Sequence, residues 1–560
     1  MRYPELLNED ISRVGDDARR YNLMSGRLVT DVVRTSLGPR GMEKMYIDIL
    51  GEDTLTGHGG AFLRKIDTTH PAAKAVIEAV NAVDTHVGDG TATAAILIGE
   101  MLGQAEEMIR AGIPPATIVR GYEMGLDRAL GILGSIEEAA DRADESVMRD
   151  LAATCLRGKA MHELQMDGMD VVGMAIEAVL CVTDPGSGRV RVDDIKIEEK
   201  EGSIEQTELV RGTVIDKTID SPAMPRRIEN PRILLVNEAL ERSRTKTESE
   251  IEISAAGQMA RFADQEQADV LALVDRVAES GATVVISRKG VSELAQERLA
   301  GRGIISMRRV KYNDLWWLEK ATGARTCEDV GDISAGELGT AARIYERTVG
   351  EDRMVFVEAG GRPRSVTLLL RANSKRYLDE FHRNALNVFY ALRNFIENPV
   401  VVYGGGAAEA SISGKLRDWA AGVAGREQVA VQRMADCLER IALTLARNVG
   451  MDEIDTVSEL RSRYAADGSG WYGIDSDSRR VADMSGSGII EASDVKRQVL
   501  KSSVEAVNMI LRIDDVFMKD LIDNTHCHID GTVHAHRDGG KAHNHFEQEG
   551  LEQRQMHQYY

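Results

Sequence analysis

The sequence predicts an α+β chain of several domains, with helical ends and an α/β centre. Three observations predict it. The chain has 560 residues, too many for one ordinary core, so roughly two to four domains are expected. Apolar residues recur at helical spacing near both ends, from Gly90 to about Ala111 and over DVKRQVLKSSVEAVNMILRIDDVF (494–517). The centre instead carries short apolar runs bounded by turn residues, with helical patterns between them.

Taken in order, the first helical stretch opens at Gly90 and is stopped by Gly112 with Pro114-Pro115. RVRVDDIKIEE (189–199) alternates like a half-buried strand. RILLVNEAL (232–240), ATVVISRKG (282–290) and GIISMRRV (303–310) read as strands of an α/β module. No internal repeat is evident. The hydrophobic fraction of 43% is that of a folded chain, and the 4% of aromatics leaves the core to aliphatic residues and Met.

The formal charge of −21 argues against nucleic acid as a partner, because phosphate binding favours a basic surface. Cys155, Cys181, Cys327, Cys437 and Cys527 are scattered and form no CxxC, which fits a reducing compartment without a disulfide framework. No apolar leader and no run long enough for a membrane span is visible. A cytoplasmic protein with no membrane partner is expected.

HVGDGTATAAIL (86–97) is the stretch with the most chemistry. Its glycines let backbone N–H groups approach an anion, and the helix that follows presents its positive dipole end. Asp89 would repel phosphate, so its sensible role is to hold a Mg²⁺ that bridges phosphates.

Eight segments in one order carry a resemblance. They are TSLGPRGMEKM (35–45), HPAAKAV (70–76), GDGTATAAIL (88–97), MPRRIENPRILLV (224–236), RRVKYNDLWWLEKATGA (308–324), SVTLLLRA (365–372), YGGGAAE (403–409) and ILRIDDV (510–516). Together they resemble the group II chaperonins, the archaeal thermosome and its cytosolic eukaryotic relatives. The resemblance covers residues 1 to about 520 and implies a chaperonin fold. It would divide the chain into an equatorial ATP-binding domain (1–142 and 396–520), an intermediate domain (143–209 and 360–395) and an apical domain (210–359), with a flexible His-rich tail at 521–560. The apical domain would carry a built-in helical lid protrusion in ERSRTKTESEIEISAAGQMARFADQEQ (241–267). Ile251, Ile253, Met259 and Phe262 there are candidates for client contact. The implied activity is ATP-driven folding of unfolded polypeptide in a double ring of like or paralogous subunits.

The resemblance also implies a site for ATP and Mg²⁺. Asp89 takes the Mg²⁺ position, and Gly88, Gly90, Thr91, Ala92 and Thr93 surround the phosphates. Leu37, Gly38 and Pro39 form the loop against the nucleotide. Gly404, Gly405 and Gly406 meet ribose and base, Glu491 lies near the ribose hydroxyls, and Lys159 sits on the loop that senses the terminal phosphate.

At the chemistry the sequence departs from the family. Hydrolysis needs a group that orients or deprotonates the attacking water, and the family supplies two aspartates. Their positions fall on His58, in Thr56-Gly57-His58-Gly59-Gly60, and on Asn387. An amide oxygen accepts a hydrogen bond from water but does not take its proton. His58 is open to two readings, a neutral substitute base or a cation paired with the γ-phosphate. The chain is therefore expected to bind ATP with impaired hydrolysis. The alternatives are a fully active folding ATPase and a non-hydrolysing regulatory or scaffold subunit beside active paralogues.

The tail holds seven of the twelve histidines, including His526-Cys527-His528, His534-Ala535-His536 and His543-Asn544-His545. Such tracts bind Zn²⁺, Ni²⁺ or Cu²⁺, or serve simply as a solvated tail.

Overall fold

The computed structural model describes residues 11–13, 18–47, 51, 53–68, 70–162, 168–241, 256–333, 335–467, 471–514, 517–519, 525–527 and 533–535. These fall into two compact units, one from Met1–Tyr21 with Ile513–Tyr560 and one from Asn22–Arg512.

In the first unit, Ile11–Arg13 pairs antiparallel with Phe517–Lys519, joining the two ends of the chain. Thr525–Cys527 pairs antiparallel with Val533–Ala535. Both of these strands lie in the stretch expected as a tail, 521–560.

The second unit is helical at both ends. Its early helices are α1 (Ala18–Asp31, which opens in the first unit), α2 (Gly59–Lys65), α3 (Pro71–Val87), α4 (Thr91–Arg110), α5 (Pro115–Ile136), α6 (Glu145–Leu156) and α7 (Val171–Val182). Central helices are α8 (Ala256–Glu279), α9 (Glu293–Gly301) and α10 (Tyr312–Thr322). Then come α11 (Lys375–Glu397), α12 (Ala407–Ala420), α13 (Glu427–Asn448), α14 (Glu453–Asp467) and α15 (Ser493–Leu511). The helix read from Gly90 is α4, capped by Gly90 itself, and Pro115 begins α5. One large core joins both ends, drawing on residues from Leu23 to Ile195 and again from Val366 to Leu511. A second core, from Ile215 to Val357, is built from the continuous middle of the chain.

The middle holds a sheet in which Ile305–Met307, Val284–Ser287, Arg232–Val236 and Thr326–Cys327 run parallel, with Gly339–Thr340 antiparallel at Arg232–Val236. Helices flank its strands, so both faces are buried and the runs read as continuously apolar. The expected strand at 189–199 is shifted. Val192–Asp194 forms a 3₁₀ turn first, and the strand proper is Ile195–Glu201, parallel to Val366–Ala372. Most of the expected lid protrusion lies outside the described residues, which omit 242–255, Ile251 and Ile253 included. Of Met259 and Phe262 only the backbone of α8 is described.

What positions the site is the reversal between α3 and α4. Gly88 (φ +72°) and Gly90 (φ +82°) are both left-handed and flank Asp89, a conformation that costs other residues about 1–2 kcal/mol. The reversal is gripped from two sides. A Cβ on Gly88 would lie 2.3 Å from Tyr390 Cβ of α11, and one on Gly90 would lie 2.9 Å from Val495 and Val499 of α15. The last carbonyls of α3, which the helix cannot satisfy itself, are met by α11. Arg393 donates to His86 O, and Asn394 Nδ2 donates to Val87 O at 2.8 Å.

This grip predicts a graded result. Gly112 is also left-handed (φ +84°), but open space surrounds it. Gly112→Ala is expected to cost only the conformational term of about 1 kcal/mol, whereas Gly88→Ala also meets Tyr390. Thermal melts should show a clearly larger loss for Gly88→Ala; equal losses would mean that the contact with α11 does not constrain the turn.

Candidate functional site

One cavity gathers most of the residues singled out from sequence. It is lined by Leu37, Gly38, Pro39, His58, Asp89, Gly90, Thr91, Ala92, Thr93, Lys159, Gly405, Gly406 and Glu491. Gly88, Gly404 and Asn387 stand one layer behind it. Gly404 N donates to Ile489 O at 2.8 Å, which joins the glycine turn to the strand carrying Glu491.

The floor is the N-terminus of α4. Gly90 caps the helix without a side chain, so first-turn N–H groups remain available to an anion. The shorter α2 starts alongside, where Gly60 N donates to Thr91 Oγ1 at 3.2 Å. A Cβ on Gly59 would sit 3.3 Å from Ala92 Cα, so the two helix starts nearly touch.

Asp89 is the charged group at this floor. Burial alone would raise its carboxyl, but the Lys159 ammonium and the Gly90 N–H hold it below the usual carboxylate range. Gly90 N donates to its Oδ1 at 2.8 Å, and Cys155 Sγ lies 3.7 Å from Oδ2. Burial also works against the Lys159 ammonium, yet Cys155, Asp89 and Glu380 together raise its pKa. Burial pushes the Cys155 thiol up to about 12, so it is an inert neighbour. An ionised, buried carboxylate with oxygen lone pairs to spare suits a hard divalent cation.

Asn387 does not line the cavity. With the carboxamide oriented to satisfy its neighbours, its Nδ2 donates to Gly88 O and Arg383 O, each at 3.1 Å. Its Oδ1 accepts from Lys159 Nζ at 2.9 Å. The side chain therefore fastens α11 to the turn and holds Lys159.

His58 is the N-cap of α2. Its Nδ1 accepts from Ala61 N at 3.1 Å, which assigns the ring proton of the neutral form to Nε2. Nε2 finds Asp84 Oδ1 only at 3.5 Å and makes no hydrogen bond. Burial lowers the pKa to about 4; Asp84 opposes this and Lys159 adds to it. The ring is thus neutral at pH 7, and its one lone pair is spent on the backbone. Neither the base nor the cation that the sequence left open is offered by this geometry.

At the other end of the cavity Lys496 bridges Glu409 and Glu491, each at 2.8 Å. Burial pushes the Glu491 carboxyl above its usual range; Lys496 opposes this and Glu409 adds to it. Leu445, Ile441 and Ile474 line the cavity near Leu37 and Gly405. Sequence reasoning missed Lys496, Glu409, Cys155 and Glu43. Among the described lining residues, Glu43 is the carboxylate besides Asp89 and Glu491. Its signal was present, since it stands in the quoted GPRGMEKM segment.

Comparison with known proteins fits this arrangement. Residues 29–520 match the TCP-1/cpn60 chaperonin family, and the chain belongs to it. Its relatives place it with the group II chaperonins. It is 41% identical over 515 residues to thermosome subunit beta of Archaeoglobus fulgidus, across 91% of this chain and 94% of that one. The thermosome subunit of Methanopyrus kandleri is 42% identical over 504 residues, across 90% of this chain and 92% of its own. That of Pyrococcus horikoshii is 40% identical over 506 residues, across 90% and 91%. Among the described residues, no helix is long and apolar enough to cross a membrane.

The His58 geometry gives a pH prediction. The folded-state pKa of about 4 lies below the ordinary imidazole value of 6.5, so the unfolded chain binds the proton more readily. His58 therefore makes stability fall as pH drops from 6.5 to 4, by about 3 kcal/mol in all. His58→Asn keeps a cap acceptor and removes the titration. Its melting temperature should fall less over that window than that of the natural protein; parallel curves would overturn the assignment.

Proposed function

We propose that this chain is an ATP-binding subunit of a double-ring chaperonin that binds unfolded polypeptide, and that its hydrolytic step is impaired. The observation that carries the reading is the cavity at the α4 N-terminus, with Asp89 and Lys159 charged inside it and both changed side chains turned to the backbone. In this reading the first-turn N–H groups of α4 and Lys159 receive the phosphates. Asp89 would hold Mg²⁺, which screens phosphate charge when bound. Leu37, Leu445, Ile474 and Gly405 would face the base, and Glu491, held by Lys496, the ribose hydroxyls. The six-part division given by the resemblance, the apical client surface, co-assembly with self or paralogues, and a cytoplasmic location belong to the same proposal.

Impairment follows from who can take the proton of the attacking water. Asn387 has no basic atom, and the Nδ1 lone pair of His58 already accepts from Ala61 N. Loss of a general base typically slows such a step about 10²–10⁴-fold, and losses at two cooperating positions need not multiply. One observation favours a second reading. Glu43 lines the same cavity, beside Gly57, and supplies a carboxylate for a folding ATPase that still turns over.

Steady-state hydrolysis and nucleotide binding, measured together, decide between them. The natural protein is expected to bind ATP with Mg²⁺ and to hydrolyse it at least about tenfold more slowly than His58→Asp/Asn387→Asp. Turnover at the double variant's rate would overturn the impaired reading. If that turnover also disappears in Glu43→Gln while ATP still binds, Glu43 is the base.

A further inference from the structure

A second cavity, of about 220 Å³, lies between α12, α13, α14 and the strand Tyr472–Asp475. The function proposed above makes no use of it. Three of these elements also line the cavity at the α4 N-terminus, through Gly406, Ile441 and Ile474. To the second cavity they present Ser411, Glu439 and Tyr472 instead.

Ser411 is the residue that points to a ligand. It is 1% exposed, and its Oγ has no hydrogen-bond partner among the described residues. Ser413, two positions on, shows the usual outcome, since its Oγ donates to Ala435 O at 2.7 Å. A buried hydroxyl without a partner is destabilising, so the cavity suits a molecule that brings one. The charged groups around it are already paired. Glu439 accepts from Arg461 Nε at 2.9 Å and from Arg417 Nη2 at 3.4 Å, and Asp418 accepts from Tyr464 Oη at 3.3 Å. Two guanidiniums against two carboxylates leave nothing to neutralise a buried ion. The walls are planar groups, Tyr464 and Tyr472 with Arg417 and Arg461, and both kinds stack on aromatic faces. Tyr464 lies against the α12 backbone, where a Cβ on Gly414 would come within 2.7 Å of its Cε1. Arg463 sits over Tyr472, 5.6 Å from the ring centre.

We propose that this cavity binds a neutral planar aromatic molecule of one or two rings through a hydrogen bond to Ser411. The size agrees, since an apolar cavity of about 150 Å³ already takes up benzene. The neutral ring stacks among the tyrosines and guanidiniums, and its one polar group meets the Ser411 hydroxyl.

The test titrates the full chain, with ATP and Mg²⁺ present, with indole and with indene, which has the same shape but no N–H. Saturation-transfer NMR reads the affinity. The natural protein is expected to bind both saturably. Ser411→Ala should weaken indole about fivefold, the size of one net hydrogen bond, and leave indene unchanged. Ala410→Leu, which fills the cavity from α12, should abolish binding of both. Ser411→Ala favours a helix and carries the test alone if the larger side chain disturbs the fold. No saturable binding by the natural protein would overturn the site. So would equal indole affinity in Ser411→Ala, or binding that persists in a folded Ala410→Leu. Neither residue lines the cavity at the α4 N-terminus, so the outcome is independent of the nucleotide reading.

Discussion

The constraint on which the rest of the site depends is the reversal from α3 to α4. It must place a carboxylate at the start of a helix, buried and ionised, within two left-handed residues. Glycines at 88 and 90 make the path available, but they do not hold it. α11 does so by meeting the free carbonyls of His86, Val87 and Gly88 in succession, through Arg393, Asn394 and Asn387. α15 closes the other side against Gly90. Three helices far apart in sequence must therefore be in place before Asp89 has a fixed position. Charge follows the same order. Asp89 stays ionised because Lys159 is near, and Lys159 is held by the amide of Asn387.

What the sequence disclosed was mostly what is local. The α3–α4 turn was readable because Gly-Asp-Gly followed by threonines and an apolar run is a short-range signal. The buried parallel strands were readable because a sheet covered on both faces leaves continuous apolar runs. The alternation at 189–199 misled at its first half, since a 3₁₀ turn at Val192–Asp194 also buries alternate residues. Long-range pairing was not legible. Lys496 looks like one more solvated lysine on an amphipathic helix, and only the fold sets it between Glu409 and Glu491. Gly88, Gly404 and Asn387 were placed at the site by resemblance, and the fold sets them behind the cavity wall. The tail could be read for composition alone; its pairing register is a property of the backbone.

The positions of His58 and Asn387 were legible, but their orientation was not, and orientation decides what they do. Asn387 is more than an aspartate without its charge. Its Nδ2 donates to two carbonyl oxygens, a task no carboxylate performs. An aspartate at 387 would face those oxygens with lone pairs only, and would have to turn toward Lys159 or the cavity. Leaving a buried carbonyl without its donor costs about 1–3 kcal/mol. His58 is committed through one nitrogen, with Nδ1 accepting from Ala61 N at the start of α2. In the proposed reading, the side chains at the two hydrolytic positions serve the backbone, Asn387 at Gly88 and Arg383 and His58 at the start of α2. In that reading neither side chain offers the attacking water a proton acceptor, because the amide of Asn387 has no basic atom and the Nδ1 lone pair of His58 is taken by Ala61 N.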